Sequence, residues 1–166
     1  KIVFGKIGNT TLTAFPNAGE GTAPIDGTPQ RTGVDETFAT INGAAGNGIT
    51  NVAAERSTVD LQGSATSNQY QAIKRGIYGF DTSSIGTNNV DSATFNLWVT
   101  NKGTNLGDTD GDLLQATPTV PNFVAGDFTS LGSTRWATGL SVSGRTTAAY
   151  NAWTLNASGL TGINKS

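Results

Sequence analysis

Hydrophobic and polar positions alternate with a period of two over short stretches of this chain, and turn-forming residues separate the stretches. Residues 93–100 carry the clearest pattern. Ala93, Phe95, Leu97 and Val99 take one face of an extended segment, and Thr94, Asn96, Trp98 and Thr100 take the other. Residues 72–80 form a second strong strand, and 1–7, 11–15, 112–116, 135–140 and 152–155 are further strands. No run of twelve or more residues places apolar side chains at i, i+3, i+4 and i+7, and the best helical window, 48–56, is short. Gly, Pro, Asn and Asp punctuate the strands at 15–19, 26–29, 84–89, 101–103 and 108–111. Many short strands with regular turns predict an all-β chain, an antiparallel sandwich or barrel, folded as a single domain over 1–166. Residues 1–60 are the least regular part and read as long loops over the sheets.

Composition sharpens this picture. The 166 residues include 26 Thr, 22 Gly and 15 Asn. Thr suits a half-buried pleated surface, while Gly and Asn supply the corners. Only 13% of residues are charged and the net charge is −2. With no basic stripe, phosphate-driven nucleic-acid binding has no support. No apolar run approaches the roughly 20 residues of a membrane span. Cys, His and Met are absent. Disulfides and thiol chemistry are excluded, as are Ser/His and Cys/His catalytic groups and zinc or haem sites built on those ligands. Without an initiator Met the chain reads as processed or as a piece of a longer product. Lys1 to Phe4 is too short for a signal peptide, although a removed one fits the missing start.

The middle and end of the chain resemble a family. Arg75-Gly-Ile-Tyr-Gly-Phe80-Asp-Thr-Ser-Ser-Ile85, followed by Asp91-Ser-Ala-Thr-Phe-Asn-Leu97, is similar to DNRLRE-type extracellular domains. Their shared pattern is an Arg, an apolar strand ending in Phe-Asp, a Ser-Ser-Ile turn and a Ser-Ala-Thr strand start. Residues 123–128, 150–156 and 159–163 resemble later strands of the same family, and 34–40 and 65–69 fit its longer members. The likeness spans 34–166, with 61–166 as its core. It implies a jelly-roll-like antiparallel β-sandwich on bacterial secreted proteins or virion-associated proteins, with no shared catalytic residues. It also implies structural roles for Arg75, Phe80, Asp81, Phe95, Leu97 and Trp153. In that family further strands follow the segment that here ends at Ser166. Either the remainder was removed or a strand from another chain completes the sandwich, which would favour self-assembly through an open edge.

Candidate chemistry is sparse. Asp108, Asp110 and Asp112 stand at alternate positions in a Gly-rich segment and can offer oxygens to one Ca²⁺, the only cofactor the sequence suggests. The same residues also fit an acidic hairpin turn. Asp60, Asp81 and Asp127 flank strands, where Asp caps or fixes turns. Trp98 and Trp136 are candidate sugar-stacking groups; all three Trp, and Tyr70, Tyr78 and Tyr150, equally fit a core or subunit interface. Arg75 inside an apolar strand calls for a carboxylate partner, Asp81 or Asp91. Lys74 and Lys102 are conceivable donors for an isopeptide crosslink to Asn.

Taken together, these readings predict a non-catalytic structural or display domain of an extracellular fibre, appendage, cell surface or virion surface. It would act through assembly with other subunits or through attachment. The alternative is a carbohydrate-binding module that recognises polysaccharide through exposed aromatics, with or without Ca²⁺. A glycosidase would need two facing carboxylates, which the sequence does not single out.

Overall fold

The short alternating segments become a mostly antiparallel, sandwich-like all-β fold with open sheets in the computed structural model, which describes residues 1–7, 10–14, 26–50, 58–103, 106–119 and 123–163. In chain order the strands are β1 (Ile2–Ile7), β2 (Thr10–Ala14), β3 (Asp26–Glu36), β4 (Gly48–Thr50), β5 (Asp60–Gly63), β6 (Tyr70–Lys74), β7 (Ile77–Tyr78), β8 (Ser92–Val99), β9 (Asp110–Ala116), β10 (Leu131–Ser141) and β11 (Ala149–Thr154). Helix α1 (Phe38–Gly43) follows β3, α2 (Ala157–Ile163) follows β11, and 3₁₀ turns occupy Ser83–Ile85 and Ala125–Thr129. Among the described residues no helix is long and apolar enough to cross a membrane. The chain divides into two units: Lys1–Phe15 with Phe80–Gln115 and Gly132–Ser166, and Pro16–Gly79 with Ala116–Leu131.

The first unit holds a four-stranded sheet ordered β11-β8-β1-β2 and a two-stranded ribbon of β9 and β10. Ile2, Ala93, Phe95, Val99 and Trp153 are buried on one side of the sheet. This is the face that alternation predicts for residues 93–99, with Leu97 only half-buried. Phe80, Phe95 and Trp153 stack in series, with ring centroids 6.1 and 5.8 Å apart. The Trp153 indole N–H donates to the Gly111 carbonyl on β9 at 3.2 Å, tying sheet to ribbon. A further bridge joins Ala137 to Leu155. Asn156 caps α2 by accepting from the Gly159 N–H, while its own amide donates to the Arg135 carbonyl.

The second unit is a sheet ordered β4-β3-β6-β5, with β7 also paired to β3. Its core gathers Ile41 from α1, Ile73 from β6 and Phe128 from a 3₁₀ turn, with Val34, Leu61 and Tyr70 against them. Burying Phe128 fully contributes about 1.5–3 kcal/mol. The strand expected over 72–80 is split. The pairs Gln30–Lys74 and Gly27–Ile77 place Pro29 opposite Arg75. Pro29 has no N–H to continue the ladder, so pairing lapses at 75–76 and resumes in β7. Gly33, with φ +72°, allows the register shift between Thr32 and Glu36.

Two expectations are corrected here. Residues 26–29 are not a loop but the start of β3, one of the two longest strands, so the irregular reading of residues 1–60 fails over that stretch. Within the helical window 48–56, Gly48–Thr50 is a strand and 51–57 lie outside the described residues. The helices occur instead at α1 and α2. The turn expected at 15–19 also lies outside the described residues.

Candidate functional site

Antiparallel pairing in the first unit fixes which side chains share the outward face of its sheet. Partners across a ladder point to the same side. Tyr150 pairs with Trp98, Ala152 with Asn96, and Thr154 with Thr94; Thr94 also pairs with Val3, and Val3 with Thr13. Lys1 lies opposite Asn96, because the backbone N–H of each donates to the carbonyl of the other, at 2.7 and 2.6 Å. The intervening residues Ile2, Phe95, Asn151 and Trp153 are buried, so this row of residues is the open face.

At one end of that face the Trp98 and Tyr150 rings meet edge to face, with centroids 5.2 Å apart and an interplanar angle of 80°. Both are about half exposed, at 51% each. The Lys1 Nζ sits 5.1 Å from the Tyr150 ring centroid, within cation–π reach. Beyond the rings the face carries Asn96, Thr94, Thr154 and Thr13, all polar and uncharged. This arrangement offers two apolar ring surfaces, a cation and a row of hydrogen-bonding groups.

Trp136 does not join Trp98. It is half-buried on β10, and its indole packs where a side chain on Gly162 of α2 would sit. Tyr70 stacks edge-on with Phe38 in the second unit at 5.7 Å, and Tyr78 lies on β7.

Two of the three acidic residues of the Gly-rich segment have separate partners. Asp108 accepts from the Ser143 N–H at 2.8 Å and from the Ser143 hydroxyl, and these bonds hold its carboxyl below the usual range. Asp112 pairs with Arg135 at 3.0 Å, and Asp110 is exposed. Among the described residues no group of three or more acidic side chains is placed to hold a metal. Arg145, behind them, donates to the Leu140 carbonyl at 2.9 Å and lies 5.7 Å from the Trp153 ring centroid. Burial pushes its guanidinium down, and Asp108 and Asp110 push the other way. Its Nε is buried with no hydrogen-bond partner among the described residues.

Among the described residues no carboxylate pairs with Arg75, which corrects the expected pairing with Asp81 or Asp91. Its guanidinium donates to the Phe128 carbonyl and to the Asn42 carbonyl and side-chain oxygen, the last two at 2.9 and 2.7 Å. It stacks 3.9 Å from the Phe128 ring centroid, and burial lowers its pKa. Asp81 instead accepts from the Ser83 N–H at 2.8 Å and fixes the turn after Phe80. Asp127 is buried and takes the N–H groups of Thr119 and Val124 at 2.8 and 2.7 Å. Asp60 pairs with Lys74 at 3.4 Å and accepts from the Gln62 amide. Lys102 donates to the carbonyls of Ser143 and Arg145, so among the described residues neither lysine is paired with an Asn side chain.

Alternation in residues 93–100 already puts Trp98 among polar neighbours. What the linear pattern does not carry is the register that sets Tyr150 beside it and Lys1 opposite Asn96. Only the pairing of strands some 50 and 95 residues apart in sequence reveals that group. No family model, no curated protein and no solved structure matches the chain.

Proposed function

We propose that this chain is a non-catalytic structural or display domain of an extracellular surface or fibre, working through attachment or subunit contact. The observation that carries the reading is the half-exposed Trp98–Tyr150 pair on an open sheet face. Large aromatics outside a core mark contact surfaces. The charged groups of the same unit support the reading from the other side. Asp81 and Asp108 fix turns, and Asp112 is engaged by Arg135. The resemblance of residues 75–97 to DNRLRE-type domains points the same way. The test is electron microscopy with solution scattering of the intact chain. Ordered assemblies, or decoration of a polymeric surface, support the proposal. A compact monomer that adheres to nothing at high concentration refutes it.

A second reading, a polysaccharide-binding module, is favoured by the hydrogen-bonding side chains beside the rings. A glycan array run with and without EDTA separates it from pure assembly and isolates any Ca²⁺ contribution.

A further inference from the structure

The geometry points to one ligand class for the outward face of the β11-β8-β1-β2 sheet: an acidic polysaccharide, stacked on Trp98 and Tyr150 and paired through its carboxylates with Lys1. This inference rests on the attachment reading and specifies its ligand.

Three features of the face select that ligand. The rings come first. Trp98 and Tyr150 are each 51% exposed and meet edge to face, so about half of each side chain remains open to solvent. A pyranose has an apolar side made of C–H groups and a rim of hydroxyls. Its apolar side gains by covering an aromatic face, while its rim still needs hydrogen bonds. The second feature is the row beside the rings. Asn96 and Lys1 form the next rung, and Thr154, Thr94 and Thr13 a nearby one. These groups suit hydroxyls on the adjoining sugar unit, because successive rungs on one face are two residues, roughly 7 Å, apart along a strand. A protein partner fits less well. The centre of a protein–protein contact is depleted of charge, whereas here an ammonium lies over the ring at the centre of the patch.

The third feature is charge. The Lys1 Nζ lies 5.1 Å from the Tyr150 centroid, and among the described residues no acidic side chain pairs with it. Tyr150, Ala152, Thr154, Thr94, Asn96, Trp98, Val3 and Thr13 contribute no charge. The face is therefore locally positive although the chain carries a net charge of −2. An anionic group on the ligand meets a cation there and no opposing carboxylate.

Affinity electrophoresis or calorimetry with polygalacturonate and with dextran, an uncharged polymer, tests the assignment in EDTA. The wild-type chain is expected to prefer polygalacturonate. Trp98→Ala and Tyr150→Ala should each weaken that binding roughly tenfold or more. Lys1→Gln should weaken it about two- to fivefold, the size of an exposed ion pair, and 1 M NaCl should erase the preference over dextran. Thermal melts should show all three variants folded, since the replaced side chains are largely outside the core. Equal binding to dextran, unchanged by Lys1→Gln, overturns the acidic-ligand assignment and leaves attachment through the face intact. No binding of either polymer by the wild-type chain overturns the glycan site as a whole. Loss of self-association in Trp98→Ala, with polymer binding absent, also overturns it and gives the face to a second copy of the chain.

Discussion

At the scale of single residues, the polar side chains divide into those that replace missing backbone partners and those that only decorate. Asp127 belongs to the first kind. It is 3% exposed, and both of its oxygens take backbone N–H groups, from Thr119 and Val124. Asp127→Asn turns one acceptor into a donor that faces an N–H. The expected cost is about 1–3 kcal/mol of stability, read by chemical denaturation. Asp112→Asn loses only the pair with the largely exposed Arg135, so it should stay within about 1 kcal/mol of wild type. If the two variants matched, the distinction would be wrong. The pH response follows from Asp81, Asp108 and Glu36, whose carboxyls are all held below their ordinary values, chiefly by hydrogen bonds from Ser83, Ser143 and Arg31. A depressed folded-state pKa adds stability that is present above the unfolded value and lost as pH falls through the folded one. The ordinary values are 3.8 for Asp and 4.5 for Glu. Melting temperature should therefore hold level from pH 7 to about 5 and fall below about 4. Asp108→Asn should soften that fall; an unchanged acid limb would remove Asp108 from the account.

Elements were legible where side-chain alternation is strong and silent where backbone chemistry decides. β8 followed its pattern, because Ala93, Phe95 and Val99 are apolar and buried while the alternating Ser92, Thr94 and Asn96 are polar. β3 did not, because Asp26-Gly-Thr-Pro29 carries turn residues and its ladder depends on partners 18 to 52 residues away. The split between β6 and β7 was equally hidden, since it needs the knowledge that Pro29 stands opposite Arg75. Helices α1 and α2 are six and seven residues long and bury only one side chain each, Ile41 and Ile163, too little for a periodic signal. In α2 the glycines matter more than the apolar residues. A Cβ on Gly162 would enter the Trp136 indole, and one on Gly159 would come within 2.8 Å of the Trp136 carbonyl. Gly162→Ala should therefore cost about 1–3 kcal/mol despite the better helix propensity of Ala. Trp136→Leu in the same chain should recover part of that loss. A double mutant no more stable than Gly162→Ala alone would show that the indole is not what α2 leans on.

For the molecule as a whole, low charge sets how copies or surfaces approach one another. With 13% of residues charged and a net charge of −2 at pH 7, long-range repulsion is weak at neutral pH and vanishes near the isoelectric point of about 4.9. Contacts that form under those conditions draw on apolar and hydrogen-bonding surface such as the half-exposed Phe38, Val59 and Val124 of the second unit. Self-association measured by light scattering should accordingly rise as pH is lowered from 7 toward 4.9, and should persist between 0.1 and 1 M NaCl. Binding of an acidic polymer at Lys1 has the opposite signature, since 1 M salt shortens the Debye length to about 3 Å and strips an exposed ion pair of its attraction. Salt thus separates the two kinds of contact in one experiment. Assemblies that dissolve in 1 M NaCl would show that ionic pairing, not apolar surface, holds the copies together. The structural reading would then have to be rebuilt on the few charges the chain possesses.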